Sequence, residues 1–329
     1  MVLLQTLDPA LAADIAVRVL RIAVLVAAGV FLANVAVELG AVERVAGLSR
    51  HLTGPANLPD EAGTAILTTA ASTTAGYGML ADFRESGRLS DRQTLVAVTV
   101  NTFFGFVQHL FTFYVPVLIP VLGARVGVLY VGARAAVALG ITLAGLVGGA
   151  LLLSAPTADR PDDPTPTPDG GPATADRPDS LGGAVRAALG STRSTIRRIV
   201  PRLAVVYALV TVLVAAVDLR AATAAADPLA ALLGLPGAAV PVVAVFAFDT
   251  TAGAATVAPL VGDGGPFTPR TAVATMLVGG LVSLGVSTFK RSIPFQYGVW
   301  GAEFGARVVA LNTSLKMVFL AVALALLLA

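Results

Sequence analysis

The chain has 329 residues, of which 56% are hydrophobic and 13% are charged, and its formal net charge is +2. Soluble globular domains carry about 25% charged residues, so this composition excludes an ordinary soluble domain. The absence of cysteine excludes disulfides and thiolate chemistry, and two histidines argue against a conventional zinc site. Several apolar runs reach the roughly 20 residues that a helix needs to cross a bilayer, which predicts an all-α polytopic membrane protein.

A polar segment divides the chain into two apolar halves. Residues 155–195 are rich in Pro, Asp, Thr and Gly and run into the basic stretch STRSTIRRIVPR. Such a composition cannot bury enough apolar surface to fold by itself. We therefore predict a first unit at 1–154, a disordered linker at 155–195 and a second unit at 196–329.

The two halves show the same succession of elements. In each half a long apolar helix is followed by a segment interrupted by small polar residues, and then by two further apolar helices. In chain order the predicted elements are 14–38, 58–87, 91–114 and 126–153, then 196–217, 236–262, 269–291 and 304–328.

The halves also share residues at a nearly constant offset. Thr73-Thr74-Ala75-Gly76 recurs 177 positions later as Thr250-Thr251-Ala252-Gly253. At an offset of 178 the matching pairs are Arg92 and Arg270, Pro116 and Pro294, Gly123 and Gly301, and Gly127 and Gly305. A stable offset anchored on Gly and Pro indicates an internal duplication.

The interrupted segments decide how the repeats are oriented. If they cross the membrane, each half has four spans and the repeats are parallel. If they are re-entrant hairpins, each half has three spans and the repeats are inverted. Residues 58–71 and 76–87 would form helices of about 20 Å, too short for the roughly 30 Å hydrocarbon core. We therefore predict two inverted repeats, each of three transmembrane helices plus a re-entrant helical hairpin.

Loop charges favour the same topology. With both termini outside, the inverted arrangement places the arginines of the first half's loops, the linker arginines, Lys290 and Arg291 in the cytoplasm. The parallel arrangement puts several of them outside. Arg18 and Arg21 fit neither arrangement cleanly. The predicted location is the plasma membrane, as a multi-pass protein with a cytoplasmic linker.

The repeated Thr-Thr-Ala-Gly would form the hairpin tips, where backbone groups lack intrahelical partners. Such backbone survives at mid-membrane only where it is buried in protein or lines a wet cavity. Exposed carbonyls can hold a cation, and a half-helix N-terminus attracts an anion. The predicted solute-binding residues at the tips are Ser72, Thr73, Thr74, Gly76, Thr250, Thr251 and Gly253. The alternative is that these small residues only allow close helix packing.

Asp249 is the predicted ion-coupling residue. It stands where the first half has Ser72, and a carboxylate at mid-membrane depth is costly without a cation or a proton. The alternative is that Asp249 caps the second half-helix by accepting N–H groups of the next turn.

A polar stripe on the following helix is predicted to line the same site. The stripe residues, which fall on one helical face, are Asn101, Gly105, Gln108, His109 and Thr112. The equivalent face of the second half carries Gly279, Ser283, Ser287, Lys290 and Arg291. From these faces we add Asn101, Gln108, His109 and Ser287 to the predicted solute-binding set, with interhelical hydrogen bonding as the alternative.

Two further features lie on the same helices or the ones after them. Pro116 and Pro294 are expected to break or end their helices just after the stripe. Arg134 and Lys316, near the middle of the last helix of each half, would either face an anionic ligand or snorkel.

Residues 76–123, GYGMLADFRESGRLSDRQTLVAVTVNTFFGFVQHLFTFYVPVLIPVLG, resemble the Gate, or nucleoside-recognition, domain. A looser second copy begins at GAATVAPLVGDGGPFTPRTAVATMLVGG. The domain occurs in concentrative nucleoside transporters, in the membrane half of ferrous-iron transporter B proteins and in spore-maturation membrane proteins. The resemblance implies two inverted hairpin-plus-helix repeats, with solute and sodium at the hairpin tips and a helix break at Asn101. The Gln/Glu-bearing tip expected for nucleoside recognition is missing.

These features predict a secondary-active transporter for a small polar or anionic solute, coupled to Na⁺ or H⁺ and binding its solute between the two tips. The alternative is a non-transporting accessory or scaffold protein of the Gate family. The sequence shows no P-loop, metal-ligand cluster or nucleophile triad, so no enzyme activity is predicted. No cofactor is expected beyond a bound Na⁺. The expected partners are a small-molecule solute, the lipid bilayer and, in a homo-oligomer, further copies of the chain, with no nucleic acid.

Overall fold

The computed structural model describes residues 9–38, 53–154, 227–262 and 264–329, together with isolated positions between 182 and 208. These residues form helices joined by short turns, and the β contact among them is an isolated bridge between Val261 and Phe267. Four of the described helices are long and apolar enough to cross a membrane. The chain is therefore an all-helical, membrane-embedded protein. The predicted linker and the predicted helix at 196–217 lie outside the described residues, apart from the isolated positions.

The described part of the first half contains five helices. They are α1 (Pro9–Glu38), α2 (Asp60–Ala71), α3 (Thr73–Glu85), α4 (Asp91–Leu122) and α5 (Ala124–Leu152). Within α4, the α-helical segments Asp91–Val100 and Thr102–His109 are followed by the π-helical segment Leu110–Leu118 and a last α-helical turn, Ile119–Leu122. Both α4 and α5 are candidate membrane spans.

The described part of the second half repeats this order from the interrupted segment onward. Its helices are α6 (Ala239–Phe248), α7 (Thr250–Val257), α8 (Pro269–Trp300) and α9 (Ala302–Leu328). Within α8, the α-helical segment Pro269–Ser287 is followed by the π-helical segment Thr288–Ser292 and the α-helical segment Ile293–Trp300. The other two candidate membrane spans are α8 and α9.

The boundaries of the long helices are set by the same chemistry in both halves. Both α4 and α8 begin with a capping box, formed by Ser90 and Gln93 in α4 and by Thr268 and Thr271 in α8. Each ends at a glycine with a positive φ, 78° at Gly123 and 73° at Gly301. Glycine adopts such a conformation without a Cβ penalty, so the chain turns there directly into the next helix.

Of the expectation that Pro116 and Pro294 break or end their helices, the ending is wrong, whereas the α-helical geometry is interrupted beside each proline. Pro116 lies inside the π-helical segment of α4, and Pro294 follows the π-helical segment of α8. Proline lacks an N–H group and its ring clashes with the carbonyl four residues earlier. The wider π turn provides room for the proline ring. The helix α4 therefore continues to Leu122, and α8 continues to Trp300.

Each interrupted segment is a helical hairpin that folds back on itself. The hairpin α2–α3 turns at Ser72, whose φ and ψ are −147° and 109°, and α6–α7 turns at Asp249, with values of −151° and 114°. A Cβ atom on Gly76 would lie 2.8 Å from the carbonyl oxygen of Ala65, eleven residues earlier. The two helices of the first hairpin therefore lie in direct backbone contact.

Contacts between helix ends give the relative directions of the four candidate membrane spans, α4, α5, α8 and α9. The N-terminal ends of α5 and α8 line one groove, and a Cβ atom on Gly280 in α8 would lie 3.7 Å from Nη1 of Arg134 in α5, so these helices run in parallel. At the opposite end, Arg307 near the start of α9 contacts Asp91 at the start of α4. Because α5 turns back from α4 at Gly123, α4 and α8 run in opposite directions.

Two apolar clusters form the core, one around each hairpin. The first packs α2 and α3 against the start of α4 and includes Trp300 and Phe304 of the second half. The second packs α6 and α7 against α8 and includes Leu118 and Val126 of the first half. Each hairpin is therefore buried by helices of both halves.

Candidate functional site

The first hairpin tip is organised by Ser72. Its N–H group donates to the carbonyl of Thr68 at 2.8 Å and closes α2, and its Oγ accepts from the N–H of Ala75 at 3.3 Å and caps α3. The carbonyl of Ser72 accepts from the N–H of Gly76 at 3.0 Å. The tip is thus a single extended residue between two short helices, with side chains of Thr73 half-buried and Thr74 exposed.

Asp249 occupies the same place at the second tip. Its Oδ1 accepts from the N–H of Ala252 at 2.7 Å, and its carbonyl accepts from the N–H of Gly253 at 2.9 Å. The N-capping alternative for Asp249 is therefore confirmed. Its role as the ion-coupling residue stays a prediction. Thr250 and Thr251 are half-buried beside it.

The tip glycines serve close helix packing. A Cβ atom on Gly76 would lie 1.9 Å from Oγ1 of Thr69, and one on Gly253 would lie 2.6 Å from Cα of Phe246. Thr69 and Phe246 each stand three residues before their tip. The packing role proposed as the alternative for these glycines is therefore present in both hairpins.

A buried polar contact joins the first hairpin to α4. Nδ2 of Asn101 donates to Oγ1 of Thr69 at 2.9 Å, and Thr69 in turn donates to the carbonyl of Ala65 at 3.1 Å. The Asn101 side chain is only 1% exposed, and within the described part of the chain its Oδ1 has no hydrogen-bond partner. Native proteins rarely leave such an atom unsatisfied. Asn101 therefore presents an unused acceptor beside the first hairpin.

The helix break implied at Asn101 is present. The α-helical segments of α4 stop at Val100 and resume at Thr102. Thr142 of α5 bridges the gap, because its hydroxyl donates to the carbonyl of Val100 at 2.9 Å and accepts from the N–H of Phe103 at 3.1 Å. The break is thus held open by a side chain of the neighbouring helix.

The polar stripe of α4 divides between two environments. Asn101 and Gln108 face the first hairpin, and the hydroxyl of Thr73 donates to Oε1 of Gln108 at 2.9 Å. His109 and Thr112 are exposed. Nδ1 of His109 lies 3.0 Å from the carbonyl of Gly105, within its own helix. The structure therefore brings two stripe residues to the tip and leaves the others outside it.

The second hairpin lacks this polar contact. At the positions equivalent to Asn101 and Thr69 stand Gly279 and Phe246, and a Cβ atom on Gly279 would lie 2.9 Å from the Phe246 ring. Ser287 is half-buried, and its hydroxyl donates to the carbonyl of Leu284 within α8. An aromatic ring thus fills the place that the amide occupies in the first half, and Ser287 is not brought to the tip.

Sequence reasoning missed the residues that tie the first hairpin to the second half. The ring of Tyr77 in α3 contacts the rings of Phe295 and Trp300 in α8, at centroid distances of 5.7 Å and 6.2 Å. Gln296 is buried and accepts from Nε1 of Trp300 at 2.7 Å. Tyr77 follows the repeated Thr-Thr-Ala-Gly by one residue, and this adjacency is the signal that could have found it.

The position equivalent to Asn312 in the first half is Arg134. Arg134 lies within electrostatic reach of Tyr114 and Tyr130. The Tyr130 ring contacts Phe246 of the second hairpin at a centroid distance of 6.3 Å. Arg134 therefore lies near the second hairpin. Lys316, exposed in the middle of α9, is within electrostatic reach of Arg134.

No family model and no solved structure matches the chain. Two proteins of Methanocaldococcus jannaschii are similar to it. Uncharacterized protein MJ0871 is 30% identical over 128 residues, which are 39% of this chain and 40% of that relative. The chain thus matches two fifths of the length of that relative. Uncharacterized protein MJ0880 is 20% identical over 307 residues, 92% of this chain and 95% of that relative, so this similarity covers both halves.

Proposed function

We propose that the protein is a secondary-active transporter whose two hairpins re-enter the membrane from opposite sides as parts of inverted repeats. The longest of the four hairpin helices has 13 residues, about 20 Å, and the hydrocarbon core is roughly 30 Å thick. The opposite directions of α4 and α8 support the inversion. Paired hairpins with helix breaks at the midplane are a common construction in secondary transporters.

The observation that carries the proposal is the unsatisfied Oδ1 of Asn101, held at a helix break beside the first hairpin. A buried polar atom without a partner costs about 1–3 kcal/mol of stability. A bound cation, or a hydrogen-bond donor on the solute, would satisfy this acceptor and remove the cost. We assign Asn101, Gln108, Thr73 and the first tip to this binding site, with Na⁺ as the expected cation.

The charge near the second tip supports a polar or anionic solute. Arg134 of the first half occupies the position that the neutral Asn312 occupies in the second half, and the N-terminus of α7 carries the partial positive charge of its helix. We propose that a solute anion or dipole is held between the tips, with the Asp249 carboxylate completing the site for the coupling ion.

The distribution of arginines, counted without regard to their acidic partners, supports the proposed orientation. Arg84, Arg88, Arg92 and Arg307 lie at the end where α4 and α9 begin. By the positive-inside tendency this end faces the cytoplasm, in the plasma membrane, on the same side as the linker.

The experiment is a thermal-unfolding screen of the purified protein against small solutes, in NaCl and in KCl at the same ionic strength. A ligand at one hundred times its Kd stabilises a protein by about 2.7 kcal/mol. We expect stabilisation by a polar or anionic solute that is larger in Na⁺ or that depends on pH. The variant Asn101→Leu should lose this response. Thr94→Val, which removes a buried hydroxyl bonded only to the Ser90 carbonyl of its own helix, is the control.

The same screen separates transport from the accessory role. An accessory protein would show no solute or ion response in the wild type. Loss of the response in Thr94→Val as well as in Asn101→Leu would mean that any buried polar change in α4 disturbs binding, which would remove Asn101 from the site.

A further inference from the structure

A groove of about 840 Å³ opens at the end of the bundle where α5 and α8 begin. It lies at the opposite end from the Arg307–Asp91 contact and outside the hairpin tips. The residues that line it are Ala124, Arg125, Val128, Leu129, Thr268, Pro269 and Arg270. The floor is apolar and the two charged side chains are both arginines.

The two arginines are exposed and have no acidic partner among the described residues. Each is the second residue of its helix, Arg125 in α5 and Arg270 in α8. Nε of Arg270 donates to the carbonyl of Leu327 near the end of α9, which orients the guanidinium. Two helix N-termini meet at the same place and add partial positive charge. Two arginine side chains and two helix N-termini thus give the groove its positive charge.

The equivalent place at the other end of the bundle is neutralised by the protein itself. Glu303 stands at the position of Arg125, and Arg92 at the position of Arg270. Arg307 contacts Glu303 at 2.7 Å and Asp91 at 3.3 Å, and Asp91 also pairs with Arg84. The cavity there measures only about 280 Å³.

Aromatic packing closes that other end further. The guanidinium of Arg84 lies 3.9 Å from the ring centroid of Phe304, and the rings of Phe304 and Trp300 are in contact. Two places related by the internal repeat therefore differ in kind: one is filled and charge-balanced, and the other is open and, among the described residues that line it, has arginines as its charged side chains.

The apolar surface continues from the groove along α5. Val128 and Leu129 are exposed in the groove, 60% and 39%. Farther along α5, toward its C-terminal end, the exposed apolar side chains continue with Leu139, Leu143, Val147 and Leu151. A ligand that fits both parts has a negative headgroup and a long apolar tail.

We propose that this groove binds an anionic phospholipid, with its phosphate between Arg125 and Arg270 and its acyl chains along α5. The position of both arginines at the starts of membrane spans places them at headgroup depth, in the outer leaflet under the proposed orientation, where two guanidinium groups match the charge of a lipid phosphate. A free phosphate would use the two arginines but not the apolar floor. The site is independent of the transport proposal.

The test uses the purified full-length protein in neutral detergent, titrated with phosphatidylglycerol or phosphatidylcholine in mixed micelles. Bound lipid is counted by native mass spectrometry, and the unfolding temperature is recorded in parallel. We expect phosphatidylglycerol to bind and stabilise the wild type more than phosphatidylcholine. Arg125→Glu gives the groove the charge pattern of the other end, and we expect about tenfold weaker binding of phosphatidylglycerol. Arg125→Gln should weaken it less, and provides the test if the Glu variant does not fold.

Arg92→Ala is the matched control, because Arg92 is the counterpart of Arg270 at the charge-balanced end. It should bind phosphatidylglycerol as the wild type does. Equal lipid binding by the wild type, Arg125→Gln and Arg270→Ala would overturn the proposal. Stabilisation by inorganic phosphate to the same extent as by phosphatidylglycerol would also overturn it, because the site would then be one for a soluble anion.

Discussion

Nδ2 of Asn101 lies 2.9 Å from Oγ1 of Thr69, and this hydrogen bond joins the break in α4 to the first hairpin. Thr69 uses its own proton on the Ala65 carbonyl, so the hydroxyl both donates and accepts. In the second half the equivalent pair is Gly279 and Phe246, which pack without a hydrogen bond. The same site in the fold therefore tolerates either a polar pair or an apolar one.

This relationship predicts strong coupling between the two positions. Thr69→Val leaves the Asn101 amide without a partner in an apolar setting and should lower stability by about 1–3 kcal/mol. Replacing both residues, as Thr69→Val with Asn101→Leu, removes the unpaired group and should recover part of the loss. The measurement is the free energy of unfolding of the two single variants and the double variant. Strictly additive effects would contradict the coupling.

The hairpin contact predicts opposite effects of alanine at two neighbouring glycines. Gly76→Ala places a Cβ atom 1.9 Å from Oγ1 of Thr69 and 2.8 Å from the Ala65 carbonyl, so it should destabilise the protein by about 1–3 kcal/mol. A Cβ on Gly78, in the same helix, meets no atom within 4 Å. Gly78→Ala should therefore be neutral or stabilising by about 0.5–1 kcal/mol. Unfolding temperatures that change equally in both variants would mean that the hairpin is not closed.

The proposed inverted topology predicts that equivalent turns face opposite sides of the membrane. Ala124 and Ala302 are both exposed, and each is the first helical residue after a glycine turn. The chain has no cysteine, so Ala124→Cys and Ala302→Cys can be labelled singly in intact cells with a membrane-impermeant thiol reagent. We expect labelling of Ala124→Cys from outside, and of Ala302→Cys only after permeabilisation. Labelling of both from one side would fit parallel repeats instead.

Variants of Asp249 distinguish its capping of α7, which affects stability, from a role in ion coupling, which affects ion-dependent ligand binding. Asparagine caps a helix about as well as aspartate, so Asp249→Asn should fold with little change, whereas Asp249→Ala should lose about 0.5–2 kcal/mol. If the charge couples the ion, both variants should lose the Na⁺ or pH dependence of ligand binding. Ser90→Ala, which removes the N-cap of α4 away from both hairpin tips, is the control and should keep that dependence. Retained dependence in Asp249→Asn would leave the residue with capping alone.

Features that local chemistry determines could be predicted from the sequence. The hairpins follow from small polar residues between apolar runs, but their turns lie at Ser72 and Asp249, and the Thr-Thr-Ala-Gly segments predicted as tips form the first turns of α3 and α7. The predicted ends of α4 and α8, at 114 and 291, fall short of the glycine turns at Gly123 and Gly301. The π-helical geometry that carries both helices past their prolines cannot be seen in the residue pattern.

Contacts between helices could not be predicted from the sequence. Thr69, Tyr77 and Gln296 are isolated polar residues in apolar helices, and one helix's sequence does not show what lies opposite it. The polar stripe of α4 has the right period, but only the position of the first hairpin separates Gln108, which bonds Thr73, from His109, which is exposed. The helical period thus identified the polar face of α4 but not which part of that face contacts the first hairpin.

Thr142 makes the two halves mechanically unequal. It replaces the missing backbone bonds of α4 at Asn101, so the stiffness of that joint depends on one hydroxyl of α5. At the equivalent place the second half has a continuous helix through Gly279, and Leu320 stands in the position of Thr142. A displacement of the first hairpin would therefore meet a joint in α4 near Asn101, whereas α8 first departs from α-helical geometry farther along, at its π-helical segment Thr288–Ser292.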